Sequence, residues 1–391
     1  MSPLDEPLDQ PRVVLHVGLP KAGSSYLQSL LQRLPVAPAS GPCHPEPNGA
    51  TMFLAALDVT GNHARWGRTR EQVAGQWERL CARAREHAGP TVISSELLTY
   101  ASARAAADAL AHLDGVDVDL VVAAREPAGL LPSRWQQGIK TGHEETFEEF
   151  LERSLGAHGD DPDARYWRNI APLHMLRIWG AGLPSERIHL VTVPTGPAPP
   201  ELLWERFAEA ARIPADLVPT GGERANESLG IAAVELLRRV NAHVVRKDDP
   251  RRYAVLVRRL LVRRLLIQHA SPRPVLPDEW FPTVEALAAG WRERIEDAGY
   301  PVVGTLDDLA PRRRDGAVAA SDDEVVGLAA ETIGALLNEI GERDARIRRL
   351  ERRAARVGRG AGGAAGGAAG GGAGGGRPRL ARRVVRRLRG G

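Results

Sequence analysis

Between Pro11 and Ala211 the chain alternates two hydrophobic patterns. Short, almost continuous apolar runs stand at Val13–Val17, Thr91–Ser94, Val118–Ala124 and Ile188–Val193, as expected of strands buried on both faces. Between them apolar residues return every three or four positions, the spacing of one helix face. Leu27, Leu30, Leu31 and Leu34 make the first such set; Val73, Trp77, Leu80 and Ala84 mark a helix over Thr69–His87. Further helices are predicted at Ala101–Leu113, Phe147–Leu155, Tyr166–Gly180 and Leu202–Ala211, while Pro127–Lys140 reads as a loop and then a helix with Pro132 near its first turn. This alternation predicts an α/β fold in which helices flank a parallel sheet.

Beyond Thr220 the pattern is helical, with segments at Ser228–Val245, Arg251–Ala270 and Pro272–Gly299. Arg258, Arg259, Arg263 and Arg264 spread around much of the second, which reads as a packing helix rather than a membrane-surface one. Val326, Ala329, Ile333, Leu336, Ile340, Ile347 and Leu350 follow a heptad that Arg343 interrupts. A short coiled coil is one reading, implying a homodimer through 321–356; a helix laid on its own domain is the other. Gly358–Gly376 is nearly all Gly and Ala, a linker without the means to fold. The expected layout is an α/β domain over 1–310, a helical segment at 321–356, a linker at 357–376 and a disordered basic tail at 377–391.

Charge and cysteine content narrow the classes. The formal net charge is +3, yet no acidic residue follows Glu351 while arginines continue to the end. The tail reads as a solvated arm or as a contact with an anionic surface; without a recognition module, specific nucleic-acid binding is not expected. Two cysteines give no disulfide framework, the first residues lack a signal-peptide pattern, and no apolar run approaches the ~20 residues a bilayer requires. A soluble cytoplasmic protein is the expectation.

The chemistry concentrates after strand ends. Gly18-Leu19-Pro20-Lys21-Ala22-Gly23-Ser24-Ser25 joins a strand to a helix start, where free N–H groups and the helix dipole favour an anion. A Walker A loop places Lys directly after its second glycine, whereas Lys21 precedes Gly23. Glu96 follows the second strand and Arg125 the third. Ligands of such sheets gather at the carboxyl ends of the strands, so these residues point to one crevice.

LPKAGSSYLQ resembles the 5′-phosphosulfate loop of sulfotransferases, whose usual form is PK-[ST]-G-[ST]-[ST]; Ala22 and the paired serines are small departures. VVAAREPAGLLPSRW resembles the family's second signature, a strand-ending Arg with a Ser on the next helix, here Arg125 and Ser133, with Glu126 where Asp is common. The resemblance runs from Pro11 to the Arg224–Asn241 region. It implies a P-loop NTPase-like fold and transfer of a sulfuryl group from 3′-phosphoadenosine 5′-phosphosulfate (PAPS) to a hydroxyl or amine of a small-molecule, carbohydrate or lipid acceptor. Lys21 would then meet the leaving oxygen, with Ala22, Gly23, Ser24 and Ser25 around the 5′-phosphate. Arg125 and Ser133 would hold the 3′-phosphate, and Arg224 with Asn226 would close over the cofactor. Glu96 is the candidate base, with His44 and His63 as alternatives; its other reading is to orient Lys21. His16 and Trp135 read as packing residues. A P-loop kinase or NTPase, and a non-catalytic PAPS-binding scaffold, are the competing readings.

Overall fold

The computed structural model describes residues 11–34, 41–43, 50–156, 167, 170–220, 228–244 and 249–364. The chain divides into two compact units, 1–329 and 330–391. The boundary between these units falls after Ala329, inside the last helix.

Five parallel strands form the sheet of the first unit: β1 (Arg12–Gly18), β2 (Pro90–Ser95), β3 (Asp117–Ala124), β4 (Ile188–Thr192) and β5 (Val302–Val303), in the order β2-β1-β3-β4-β5. The first four match the apolar runs to within two residues. Every residue of β1 and β2 is buried, which is why they read as continuous runs rather than as alternations. The two-residue β5 pairs with Leu190 and Val191 and was too short to register as a pattern.

The connecting helices are α1 (Ser24–Leu31), α2 (Ala50–Thr60), α3 (Gln76–Glu86), α4 (Ala103–Ala111), α5 (Pro127–Lys140), α6 (Phe147–Leu155), α7 (Pro172–Trp179), α8 (Leu202–Ala211), α9 (Ile231–His243) and α10 (Phe281–Ala298). The predicted helix over 69–87 is broken: Ala74 leaves helical geometry after a short Arg70–Val73 turn, and Gly75, at φ 70°, starts α3. Leu27, Leu30 and Leu31 are buried as the spacing predicted. In α5, Pro127 occupies the first turn, and the Glu126 carboxylate caps the helix by accepting the Gly129 N–H at 2.9 Å.

Three findings revise the sequence reading of the helical part. Ala254–Leu265 is wound as a π-helix, so residues five apart stack on one side. Arg258 therefore lies over Arg263 and Arg259 over Arg264, gathered on an exposed side rather than spread around the helix. The last helix, α11 (Asp322–Ala364), continues past 356 into the expected linker. Ala354, Ala355, Ala361 and Ala364 carry high helix propensity, and extending an existing helix needs no new nucleus. The basic tail at 377–391 lies outside the described residues.

A buried charge network closes the amino end of the sheet. Asp119 on β3 is fully buried and accepts from Arg12 on β1 and from Arg212, while Arg12 also donates to the Ala211 carbonyl at 2.6 Å. The end of α8 is thereby fixed to the sheet. Near the carboxyl end of β4, Asp308 accepts from Thr192 at 2.9 Å and from Arg206 at 2.6 Å, anchoring the segment after β5.

Among the described residues no helix is long and apolar enough to cross a membrane. Cys43 and Cys81 are both buried and unbridged.

Candidate functional site

The strand order places a topological switch between β1 and β3. The chain leaves β1 for a neighbour on one side and returns to add β3 on the other, which opens a crevice at their carboxyl ends. Gly18 and Ala123 are paired there, so the loop after β1 and Arg125 after β3 begin side by side.

The loop is tightly wound. Leu19 O accepts from the Ala22 N–H at 3.2 Å and from the Ser24 hydroxyl at 3.0 Å. Lys21 has φ 68°, a left-handed conformation that costs a non-glycine residue about 1–2 kcal/mol. Gly23, at φ 82°, starts α1, and a Cβ there would collide with Leu203 of α8. Gly18 is needed for a different reason: a Cβ on it would strike the Ser24 side chain packed over it.

These bonds alter the parts assigned to the loop. Ala22 is buried and its N–H is used within the turn. Ser24 is buried with its hydroxyl proton given to Leu19 O, which leaves its backbone N–H as its contribution. Ser25 is exposed at the start of α1, where first-turn N–H groups have no intrahelical acceptor. The anion-binding capacity of the loop therefore rests on N–H groups and Lys21, with Ser25 as the accessible hydroxyl.

Helix α5 organises the rest of the site. Gly129, Ser133 and Gln137 recur at four-residue spacing and so form one ridge. The Arg125 guanidinium lies against Gly129: a Cβ there would be 2.7 Å from its NH2 nitrogen. It also donates to Lys21 O at 3.4 Å. Two turns further along the ridge, Lys21 Nζ donates to Gln137 Oε1 at 2.9 Å. Half-buried Ser133 stands between the two cations, one turn from each end. Lys140, on the last turn, donates to Gln136 Oε1 at 3.1 Å. Gln136 in turn is held by Leu229 and Ser228.

Positive charge is in excess here. Burial first, then Arg134 and Arg125, pull the Lys21 ammonium below its ordinary range, with Glu96 acting in opposition. Burial also lowers Arg125, assisted by Arg314 and Arg273, against Glu126. Lys140 is lowered to about 8 by burial and by Lys21. Glu126 is fully buried and raised by that burial, although Arg314, which donates to it at 2.8 Å, offsets the shift. Among the described residues, six cations thus share the crevice with two carboxylates, Glu96 and Glu126.

Glu96 sits at the carboxyl end of β2, as the sequence suggested, within electrostatic reach of Lys21. It is exposed. His63 lies on a short turn at Asn62–Trp66. His16 is a core residue bonded to Ser94 at 2.8 Å and lowered by burial to about 4. Trp135 is a packing residue whose indole donates to Glu145 O at 3.0 Å. Arg224, Asn226 and His44 lie outside the described residues. A cleft of about 920 Å³ is lined by Trp135, Phe147, Trp280 and Phe281; of the site it reaches Arg314 but not Lys21, Glu96, Arg125 or Ser133.

Comparison with protein-family models, with curated proteins and with solved structures gives no match.

Sequence reasoning missed Gln137, Arg134, Arg273 and Arg314; Lys140, following Ser133 on its helix, could be placed only as facing the adenosine or the acceptor. Gln137 and Lys140 carried a usable signal, being four and seven residues beyond Ser133 on the same helix. Arg314 carried none, since it reaches Glu126 across 188 residues of chain.

Proposed function

We propose that this chain is a PAPS-dependent sulfotransferase on a P-loop-like sulfotransferase fold, acting on a hydroxyl or amine of a small-molecule, carbohydrate or lipid acceptor. The observation that carries the reading is the α5 ridge. Arg125 lies against Gly129 at one end and Lys21 against Gln137 at the other, ridge positions about 12 Å apart along the axis, with Ser133 between them. With about 3 Å of hydrogen bond at each end, a nucleotide bearing phosphates on both its 5′ and 3′ positions bridges such a span. The excess of desolvated positive charge is what a polyanion compensates. An NTP carries no 3′-phosphate, the group this reading gives to Arg125.

In this reading PAPS supplies the sulfuryl group and a phosphate leaving group. The chain's residues position and neutralise. The N–H groups at the start of α1 and the Ser25 hydroxyl hold the 5′ side. Arg125, as a fork of donors, and Ser133 hold the 3′-phosphate, with Arg314 reinforcing the field behind them. Lys21, free to leave Gln137, sets a point charge where negative charge grows as the S–O bond breaks. Glu96, exposed at the crevice mouth, accepts the acceptor's proton.

The test compares calorimetric binding of 3′-phosphoadenosine 5′-phosphate (PAP) and Mg-ATP, then measures transfer of labelled sulfate from PAPS to an acceptor panel. PAP is expected to bind more tightly, and Lys21→Ala to abolish transfer. Tighter binding of Mg-ATP would overturn the reading. PAP binding with no transfer to any acceptor would favour a non-catalytic scaffold.

A further inference from the structure

Among the described residues, the last helix carries a stripe of exposed apolar side chains. Ile333, Leu337, Ile340, Ile347 and Leu350 are each 53–63% exposed. They recur at three-, four- and seven-residue steps, so they form one continuous stripe rather than scattered surface residues. The heptad register named Leu336 as a seam residue, but Leu336 is half-buried and its neighbour Leu337 stands out instead. Gly334 and Gly341 fall seven apart beside the stripe, with open space where a side chain would be. A helix so rich in glycine has low intrinsic stability and depends on burial of an apolar face.

The charges along the same helix say what covers that face. From Asp322 to Glu342 there are six acidic residues and no basic one. From Arg343 to Arg356 there are seven arginines and two acidic residues. The helix is thus acidic in its first half and basic in its second. A second copy laid antiparallel sets the acidic half of each against the basic half of the other. A parallel copy would place both arginine-rich halves side by side.

We propose that α11 self-associates with a second copy of this chain as an antiparallel pair. The overlap centres near Glu342, which puts Ile333 against Leu350 of the partner subunit. The contact is isologous, so the pair closes on itself and does not grow into a filament. Charge complementarity sets the orientation and the apolar stripe supplies the burial. The inference does not depend on the proposed activity.

Light scattering coupled to size exclusion tests it on the full chain. The wild type is expected at twice its 42.2 kDa mass, weakening as salt rises from about 0.05 to about 1 M because the attraction is screened. The double variant Ile340→Asp/Ile347→Asp is expected at the single-chain mass with unchanged PAP binding and circular dichroism over the sheet unit. A monomeric wild type, or a variant that stays dimeric, would overturn self-association through this stripe. Orientation is read by disulfide trapping against the background of buried Cys43 and Cys81. Ile333→Cys mixed with Leu350→Cys is expected to cross-link, and neither alone. Cross-linking of Ile333→Cys with itself, or a dimer that strengthens with salt, would overturn the antiparallel arrangement.

Discussion

Lys140 offers the sharpest test of the charge excess. Burial and the neighbouring Lys21 bring it from the usual 10.5 to about 8, so in the free protein half of it is neutral at pH 8. Its nearest polar partners are Gln136 Oε1 on its own helix and, through Gln136, Ser228. A phosphate entering the crevice favours the charged form and draws the pKa back up. The proton taken up on binding makes affinity fall as pH rises through 8. If the bound value returns to the ordinary 10.5, affinity for PAP drops roughly tenfold between pH 7 and 9, about 1.4 kcal/mol. Lys21 is shifted in the same direction.

The stability of the free protein runs the other way. The unfolded chain keeps the Lys140 proton up to 10.5, whereas the folded one releases it near 8. Between those values the unfolded state binds more protons, so stability of the free protein rises with pH while ligand affinity falls. Calorimetry at pH 7, 8 and 9, in two buffers of different ionisation heat, reads both affinity and proton uptake. About half a proton is expected at pH 8, from Lys140 alone. Lys140→Met should remove that component. Affinity that is level across the range, with no proton uptake, would refute the placement of Lys140 in the binding crevice.

Three further outcomes follow from named contacts. Arg125→Ala should weaken PAP by ~1.5–3 kcal/mol, the worth of a hydrogen bond to a charged group, while leaving adenosine 5′-phosphate nearly unaffected; equal losses for both nucleotides would dissociate Arg125 from the 3′ end. Gly23→Ala imposes a left-handed alanine that collides with Leu203, and chemical denaturation should show a loss of about 1–3 kcal/mol; wild-type stability would mean the turn is not as described. Asp119→Asn leaves Arg12 buried beside a neutral amide and should cost about 3–5 kcal/mol in the same assay with PAP affinity unchanged in the folded protein; a large affinity change would contradict its location at the opposite end of the strands.

The legibility of this chain followed burial. β1 to β4 were readable because both faces of each strand are covered, which removes polar residues and leaves a run. β5 was not, because two residues carry no period. Gly75 broke a helix that the apolar spacing of Val73 and Trp77 had joined, since a left-handed glycine leaves periodicity undisturbed on either side. At the site, positions were legible and directions were not. Lys21, Glu96 and Arg125 could be placed after strand ends from the sequence alone. That the Ser24 hydroxyl turns inward to Leu19 O could not, because it follows from how Gly18 admits the side chain behind the loop. Arg314 belongs to a third class: its place beside Glu126 depends on the fold of the whole unit.

The arrangement of carboxylates shows why the crevice keeps its charge. Glu126 could have neutralised Arg125 outright, being its neighbour in sequence. Instead its oxygens are spent on the Gly129 N–H and on Arg314, so it caps α5 and holds a second arginine in place. Glu96 is the other carboxylate near Lys21, yet Lys21 Nζ hydrogen-bonds to the neutral Gln137 and not to Glu96. Both cations are therefore held by neutral oxygens, the Lys21 carbonyl for Arg125 and the Gln137 amide for Lys21. Neutral acceptors fix position without cancelling charge, and an incoming anion displaces them at little cost compared with breaking an ion pair. A fold using these cations for its own stability would pair them with carboxylates, as it does for Arg12 with Asp119 and Arg206 with Asp308. The contrast between those two paired arginines and the Lys21–Arg125 pair separates charge that holds the protein together from charge that the proposed function assigns to a ligand.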